Sequence, residues 1–371
     1  MSITMTRCSI VLFVSFVAAP YGNADETAEH YLLAALACDR MLPDYVENAT
    51  TDHPTLGFVN PVAAEHTLFL KQSYIRHALS HFEEATGAKD CIWERYVGFS
   101  WSEGYLNDRL HQLARLALFR ARTCYDTGRW VDGNRDVERV RIMARHMTHQ
   151  ARPVEHQCFM VENMAVLTAA AYLFRFPKTD LADLSERHNR IGVFSPMRGM
   201  LSRESLRIRD LSIAVERGGI APADALSISG YGDDLDRAPD ISVDTTSHDL
   251  KGLAAFLDEV SRHMEMRNQD ECEKILRALT RRFRDSNQLI ARLDDYASNE
   301  FRENAQGVCR NTILTSLLER LLNDNADFTT IPDPYSSESL QLKSAGTGFV
   351  LVSILSHHGR LRFDFGAAGK K

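Results

Sequence analysis

The sequence predicts a mainly α-helical protein of stacked antiparallel helical hairpins, an α-solenoid-like arrangement, with a short β meander at its C-terminal end. Three observations carry this expectation. Apolar residues recur at 3- and 4-residue steps through most of the chain. Gly128 separates two long periodic segments, as a glycine does between the helices of a hairpin. Past Asp327 the text changes to short apolar runs divided by Gly346, Gly348 and Gly359.

The elements follow in order. Leu32, Leu33, Leu36 and Ala37 mark a first helix over 25–40, and the Thr-, Asp- and Pro-rich stretch from Pro43 to Pro61 reads as a loop. A second amphipathic helix spans 63–85 through Leu68, Leu70, Tyr74, Ile75, Ala78 and Phe82. The clearest hairpin joins the segment from Leu106 to Ala121 to that from Trp130 to Met147. A third helix is expected over 154–174, stopped by Pro177, and a further pair between Leu181 and Val215. The succession is TPR-like, although no repeat of about 34 residues recurs. Residues 227–247 hold Gly230, Gly232, Pro239 and the acids Asp233, Asp234, Asp236, Asp240 and Asp244, a composition that solvates better than it packs. Helices return over 249–266, from 270 into the 290s, and over 311–322. Strands are expected over 340–342, 349–355 and 361–365.

The domain plan is therefore a leader over 1–24, a helical-hairpin region over 25–226, an acidic linker over 227–247, C-terminal helices over 248–330 and a β-rich tail over 331–371 that should pack on the helical body. Met1 to Arg7 carries one positive charge, Cys8 to Ala19 is almost unbroken apolar sequence, and Gly22 and Ala24 precede Asp25. These are the three parts of a cleavable signal peptide, and about a dozen apolar residues is short of the roughly 20 that cross a bilayer. Export to the periplasm or beyond is expected, with no membrane span after cleavage. Cys8 precedes the apolar run, so a lipid-bearing N-terminus is not expected.

The charge count, 43 basic residues against 50 acidic, gives −7. Nonspecific nucleic-acid binding is accordingly not expected. Six cysteines remain after the leader, an even number that permits disulfides. Cys124 and Cys158 fall at opposite ends of the predicted hairpin, about 30 Å apart for a twenty-residue helix, which disfavours their pairing. Six cysteines allow 15 pairings among which sequence does not choose; by elimination Cys38 with Cys91 and Cys272 with Cys309 are the preferred candidates.

Several residues resemble the conserved points of a large set of uncharacterised exported proteins from planctomycete bacteria. Cys91, Trp93 and Gly104 followed by Leu110, Leu113 and Leu116 are similar to its "C-x-W... G... L" opening. Asp333, Pro334, Tyr335, Leu340, Gly348, Phe349, Leu351 and Ser353 are similar to its "DP-[FY]... PL... GF-x-LYS" ending. Ser339 stands in place of the usual Pro, Val352 in place of Tyr, and the Gly/Asp-rich finish is missing. The resemblance implies export and fold, and carries no activity.

His77 and His81, four apart on one helix, with Glu84 three further on, are the candidate metal ligands. Paired imidazoles one turn apart grip zinc in HExxH helices, but Ala78 follows His77, so the general base of that motif is missing. A solvated helix face is the plainer reading. His146, His149, Glu155, His156 and Cys158 gather at a predicted turn, where capping groups collect in any case. The nine arginines from Arg109 to Arg145 form either an anion-binding face or helix-surface ion pairs. Asp132, Asp136 and Arg139, at 3- and 4-residue steps, favour pairing. The acidic linker lacks the ligand order of an EF-hand loop. No Walker A, Rossmann or G-x-S-x-G pattern occurs, and no cofactor or catalytic residue is expected. The leading expectation is a non-catalytic exported protein that contacts another protein or an envelope component. The alternative is a secreted, metal-assisted hydrolase using His77, His81 and Glu84.

Overall fold

In the computed structural model the chain is mainly helical. The structure describes residues 26–37, 42–49, 62–89, 91, 93, 103–148, 157–175, 181–192, 194, 197–229, 241–263, 269–284, 286–287, 289–290, 307–308, 310–323, 331–333, 339–345, 348–352 and 362–365. The expected leader over 1–24 lies outside them. Among the described residues no helix is long and apolar enough to cross a membrane.

Helix α1 (Glu26–Ala37) packs against α4 (Ser73–Gly87). Leu33 and Leu36 are exposed, and the buried face is Ala28, Tyr31, Ala34 and Ala35. The alanines let the neighbouring backbone come close, while Tyr31 reaches inward to stack on Trp93, ring centroids 5.5 Å apart. The expected loop over Pro43–Pro61 holds a short helix, α2 (Asp44–Ala49). The expected single helix over 63–85 is also divided. A turn of α-helix, α3 (Ala64–Thr67), passes into a 3-10 turn over Leu68–Lys71, and Gln72 is extended (φ −64°, ψ 139°) before α4 begins. The break tucks Phe69 into the core and leaves Leu68 outside.

The hairpin is α5 (Glu103–Asp126) and α6 (Trp130–Met147). Gly128 takes φ +76° between them, a left-handed value that closes the turn at no side-chain cost. Gly133 opens α6 against the Tyr125 ring, where a Cβ would come within 2.6 Å of Cε1. Helix α7 (Gln157–Arg175) then lies along α6 and α5, and α8 (Leu181–Ile191) along α6.

Helix α9 (Met197–Glu216) makes the most extensive pairing among the described elements with α11 (Val243–His263). Small residues line this seam. Ser205 Oγ donates to the Ala254 carbonyl at 2.9 Å, and the hydroxyls of Ser212 and Ser247 meet at 3.0 Å. Helix α10 (Pro222–Ser229) covers one end. Both ends of the acidic 227–247 segment are thus helical, through Ser229 and from Val243 onward; residues 230–240 lie outside the described set. Helix α12 (Gln269–Arg284) packs on α11, and residues 310–322 are helical.

One hydrophobic cluster runs from Ala28 through α5, α7, α9, α11 and the 310–322 helix to Ile331 and Leu340. Strands β1 (Gln341–Ala345), β2 (Gly348–Val352) and β3 (Arg362–Phe365) are antiparallel in sequence order, with Leu342 opposite Leu351 and Phe349 opposite Phe365.

Candidate functional site

Helix α4 carries His77, His81 and Glu84 on one side, as their spacing requires, and α1 brings His30 against them from 51 positions away. Four groups form a chain. Glu84 Oε2 is 3.2 Å from His30 Nε2, His30 Nδ1 is 3.0 Å from His81 Nδ1, and His81 Nε2 is 3.2 Å from His77 Nε2. One ligating atom from each of His30, His81 and Glu84 lies within 4.8 Å of the others. His77 stands at the far nitrogen of His81. Of the expected ligands, His81 and Glu84 are therefore brought together, His77 falls to the edge of the group, and His30 takes its place.

The hydrogen-bond chemistry is restrictive. A carboxylate only accepts, so Glu84 needs the proton of His30 on Nε2; a neutral His30 then accepts at Nδ1 from His81, and His81 accepts at Nε2 from His77. Only this tautomer order satisfies all three contacts with neutral rings. Burial, with the neighbouring His77 and His30 imidazoles resisting a further positive charge, holds the His81 pKa below the usual histidine value against the opposing pull of Glu84 and Glu29.

The hairpin arginines are mostly occupied inside the protein. Arg120 grips Asp136 with two hydrogen bonds (2.8 and 2.6 Å) and Glu83 of α4 with a third contact at 2.7 Å, tying α4, α5 and α6 together. Arg139 meets the same two acids. Burial pushes the Asp136 carboxyl above its usual range although Arg120 pulls it back. Deeper in, Glu162 of α7 receives Arg141 at 2.9 Å and Arg145 at 3.1 Å. Arg141 also donates to His188 Nδ1 at 3.0 Å, which places the single proton of a neutral His188 on Nε2, toward Glu319. Burial and the Arg141 charge lower the His188 pKa, with Glu319 acting in the opposite direction. Arg187 joins Asp183 and Glu138. Burial works against the Asp183 charge, yet hydrogen bonds from Arg187 and Asn134 prevail and hold its carboxyl below the usual range. The ion-pair reading of this hairpin holds for these residues, and several of the pairs join separate helices.

Of the second histidine group, His149, Glu155 and His156 lie outside the described residues. His146 shares a 2.8 Å hydrogen bond with Tyr31 OH and accepts from Trp93 Nε1 through its carbonyl. Cys158 sits buried with its thiol 4.0 Å from the Met200 sulfur. Among the described cysteines no pair stands at disulfide distance, and the thiols of Cys91, Cys124 and Cys158 are buried. Cys38 and Cys309 lie outside the described residues, as does the side chain of Cys272. No family model, no curated protein and no solved structure matches this chain.

Proposed function

We propose that the chain is an exported, non-catalytic helical protein whose outer α9 face docks on another protein or envelope component. One observation carries the reading. Leu206 and Ile213, seven apart on α9, are 57% and 40% exposed, and Ile228 on α10, Ile241 just before α11 and Val243 at its start are exposed too. Single exposed apolar residues are ordinary on any surface, whereas large ones that join into a contiguous patch mark an interaction face. The signal-like leader and the resemblance to exported planctomycete proteins support export. Solenoid-style stacking of the hairpins and packing of the β meander on them belong to the same proposal, supported by the presence of Ile331 and Leu340 in the common core.

The test is recovery of partners from the native envelope fraction by wild-type chain and by the double variant Leu206→Glu/Ile213→Glu. Partners held by the wild type and lost by the folded variant support the reading; equal recovery contradicts it. A secreted, metal-assisted hydrolase is the second reading, favoured by the grouping of His30, His81 and Glu84. Zinc-dependent hydrolysis of a peptide, ester or glycoside panel, abolished by His81→Gln, would install it instead.

A further inference from the structure

We infer that His30, His81 and Glu84 form a binding site for a divalent transition-metal ion at the seam of α1 and α4, with His77 as a positioning residue outside the coordination shell. The inference concerns the ion alone and requires neither functional reading.

The spacing is that of a ligand set. Zinc–nitrogen bonds of about 2.0–2.1 Å in tetrahedral geometry put neighbouring ligand atoms about 3.3 Å apart. His30 meets His81 through Nδ1 at 3.0 Å and Glu84 through Nε2 at 3.2 Å, and one ligand atom from each residue already lies within 4.8 Å of the others, so a turn of the half-buried His30 ring and the exposed Glu84 side chain that offers a single His30 nitrogen to the ion converts hydrogen-bond contacts into coordination edges. Two imidazoles with one carboxylate suit zinc, nickel, copper or cobalt, whereas calcium and magnesium prefer all-oxygen shells. Three protein ligands leave a fourth position to water.

His77 has a different part. His81 turns Nδ1 toward His30 and Nε2 toward His77, so an ion shared with His30 takes Nδ1, and the proton moves to Nε2 and is held by His77. Fixing the far nitrogen of a metal-bound histidine orients the ring and sets its tautomer. The ligands also come from two helices. His30 is on α1, and His81 and Glu84 one turn apart on α4, so the ion clasps α1 to α4 and requires both to be folded.

The experiment uses tag-free full-length chain, stripped with chelator and dialysed against zinc, with bound metal measured by elemental analysis and affinity by titration. One equivalent of zinc per wild-type chain is expected, lost in His30→Gln and in His81→Gln. His77→Ala should keep one equivalent with affinity weakened about 10- to 100-fold. Protection provides an independent readout on the unaltered chain. Zinc should shield His30 and His81 from acylation by diethyl pyrocarbonate, leaving exposed His248 reactive. Wild-type chain without stoichiometric zinc, binding unchanged in folded His30→Gln, or unprotected His30 and His81 would each overturn the site in favour of a hydrogen-bonded imidazole chain.

Discussion

Arg141 Nε donates to Glu162 Oε1 at 2.9 Å with the two side chains 3% and 0% exposed, which makes this the deepest ion pair described in the molecule. Arg145 reaches the second carboxylate oxygen. Removing one partner of such a pair leaves an uncompensated charge in the interior, which costs about 3–5 kcal/mol, whereas an apolar replacement of both partners is far milder. Glu162→Ala should therefore lower unfolding stability by that amount in a denaturant titration. Arg141→Met/Glu162→Met should lose much less, because Arg145 is near enough to the surface to turn to water.

His188 gives this network a pH dependence. Its folded pKa lies below the unfolded value of about 6.5, so the unfolded chain binds more protons in the window just below 6.5. The contribution of His188 to stability is full above that value and is lost as pH falls from it toward the lowered folded pKa. Thermal melting followed from pH 8 to pH 5 should show a decline that is shallower in His188→Gln.

Two glycines in the hairpin should respond to alanine for different reasons. At Gly128 nothing lies near a new Cβ, so only the left-handed backbone is penalised, by about 1–2 kcal/mol, and Asn should recover part of it. At Gly133 the backbone is helical and the obstacle is the Tyr125 ring, anchored by its 2.9 Å hydrogen bond to Asn134. Overpacking there costs about 1–3 kcal/mol, and Tyr125→Leu should relieve Gly133→Ala without helping Gly128→Ala. Double-mutant denaturation curves separate the two.

Burial raises the Cys124 thiol pKa to about 11 and that of Cys158 to about 12. Little thiolate then exists near pH 8. Iodoacetamide at that pH should leave both cysteines unmodified in the folded chain and alkylate both in denaturant, as read by peptide mass spectrometry.

Much of the helical plan was legible because its signals are local. The α5–Gly128–α6 hairpin declared itself through apolar period and a single turn glycine, and the run of arginines with Asp132 and Asp136 at helical steps pointed to ion pairs. The leucines of α1 announced a helix but not its buried face, because packing close to α4 rewards the smaller alanines. The division at Gln72 has no proline or glycine to announce it. His30 was invisible as a partner of His81 because 51 positions separate them and only the α1–α4 contact joins them. Glu162 did leave a mark, a single acid within the apolar run from Phe159 to Ala171, since a charge in such a setting requires a buried partner.

The docking claim is tested most directly by a photo-reactive amino acid placed at Ile213 in the native cells, with the same group at exposed Val131 on α6 as comparison. The account predicts a discrete cross-linked product from position 213 and none from position 131. Cross-linking from 131 alone, or from neither position, would contradict it.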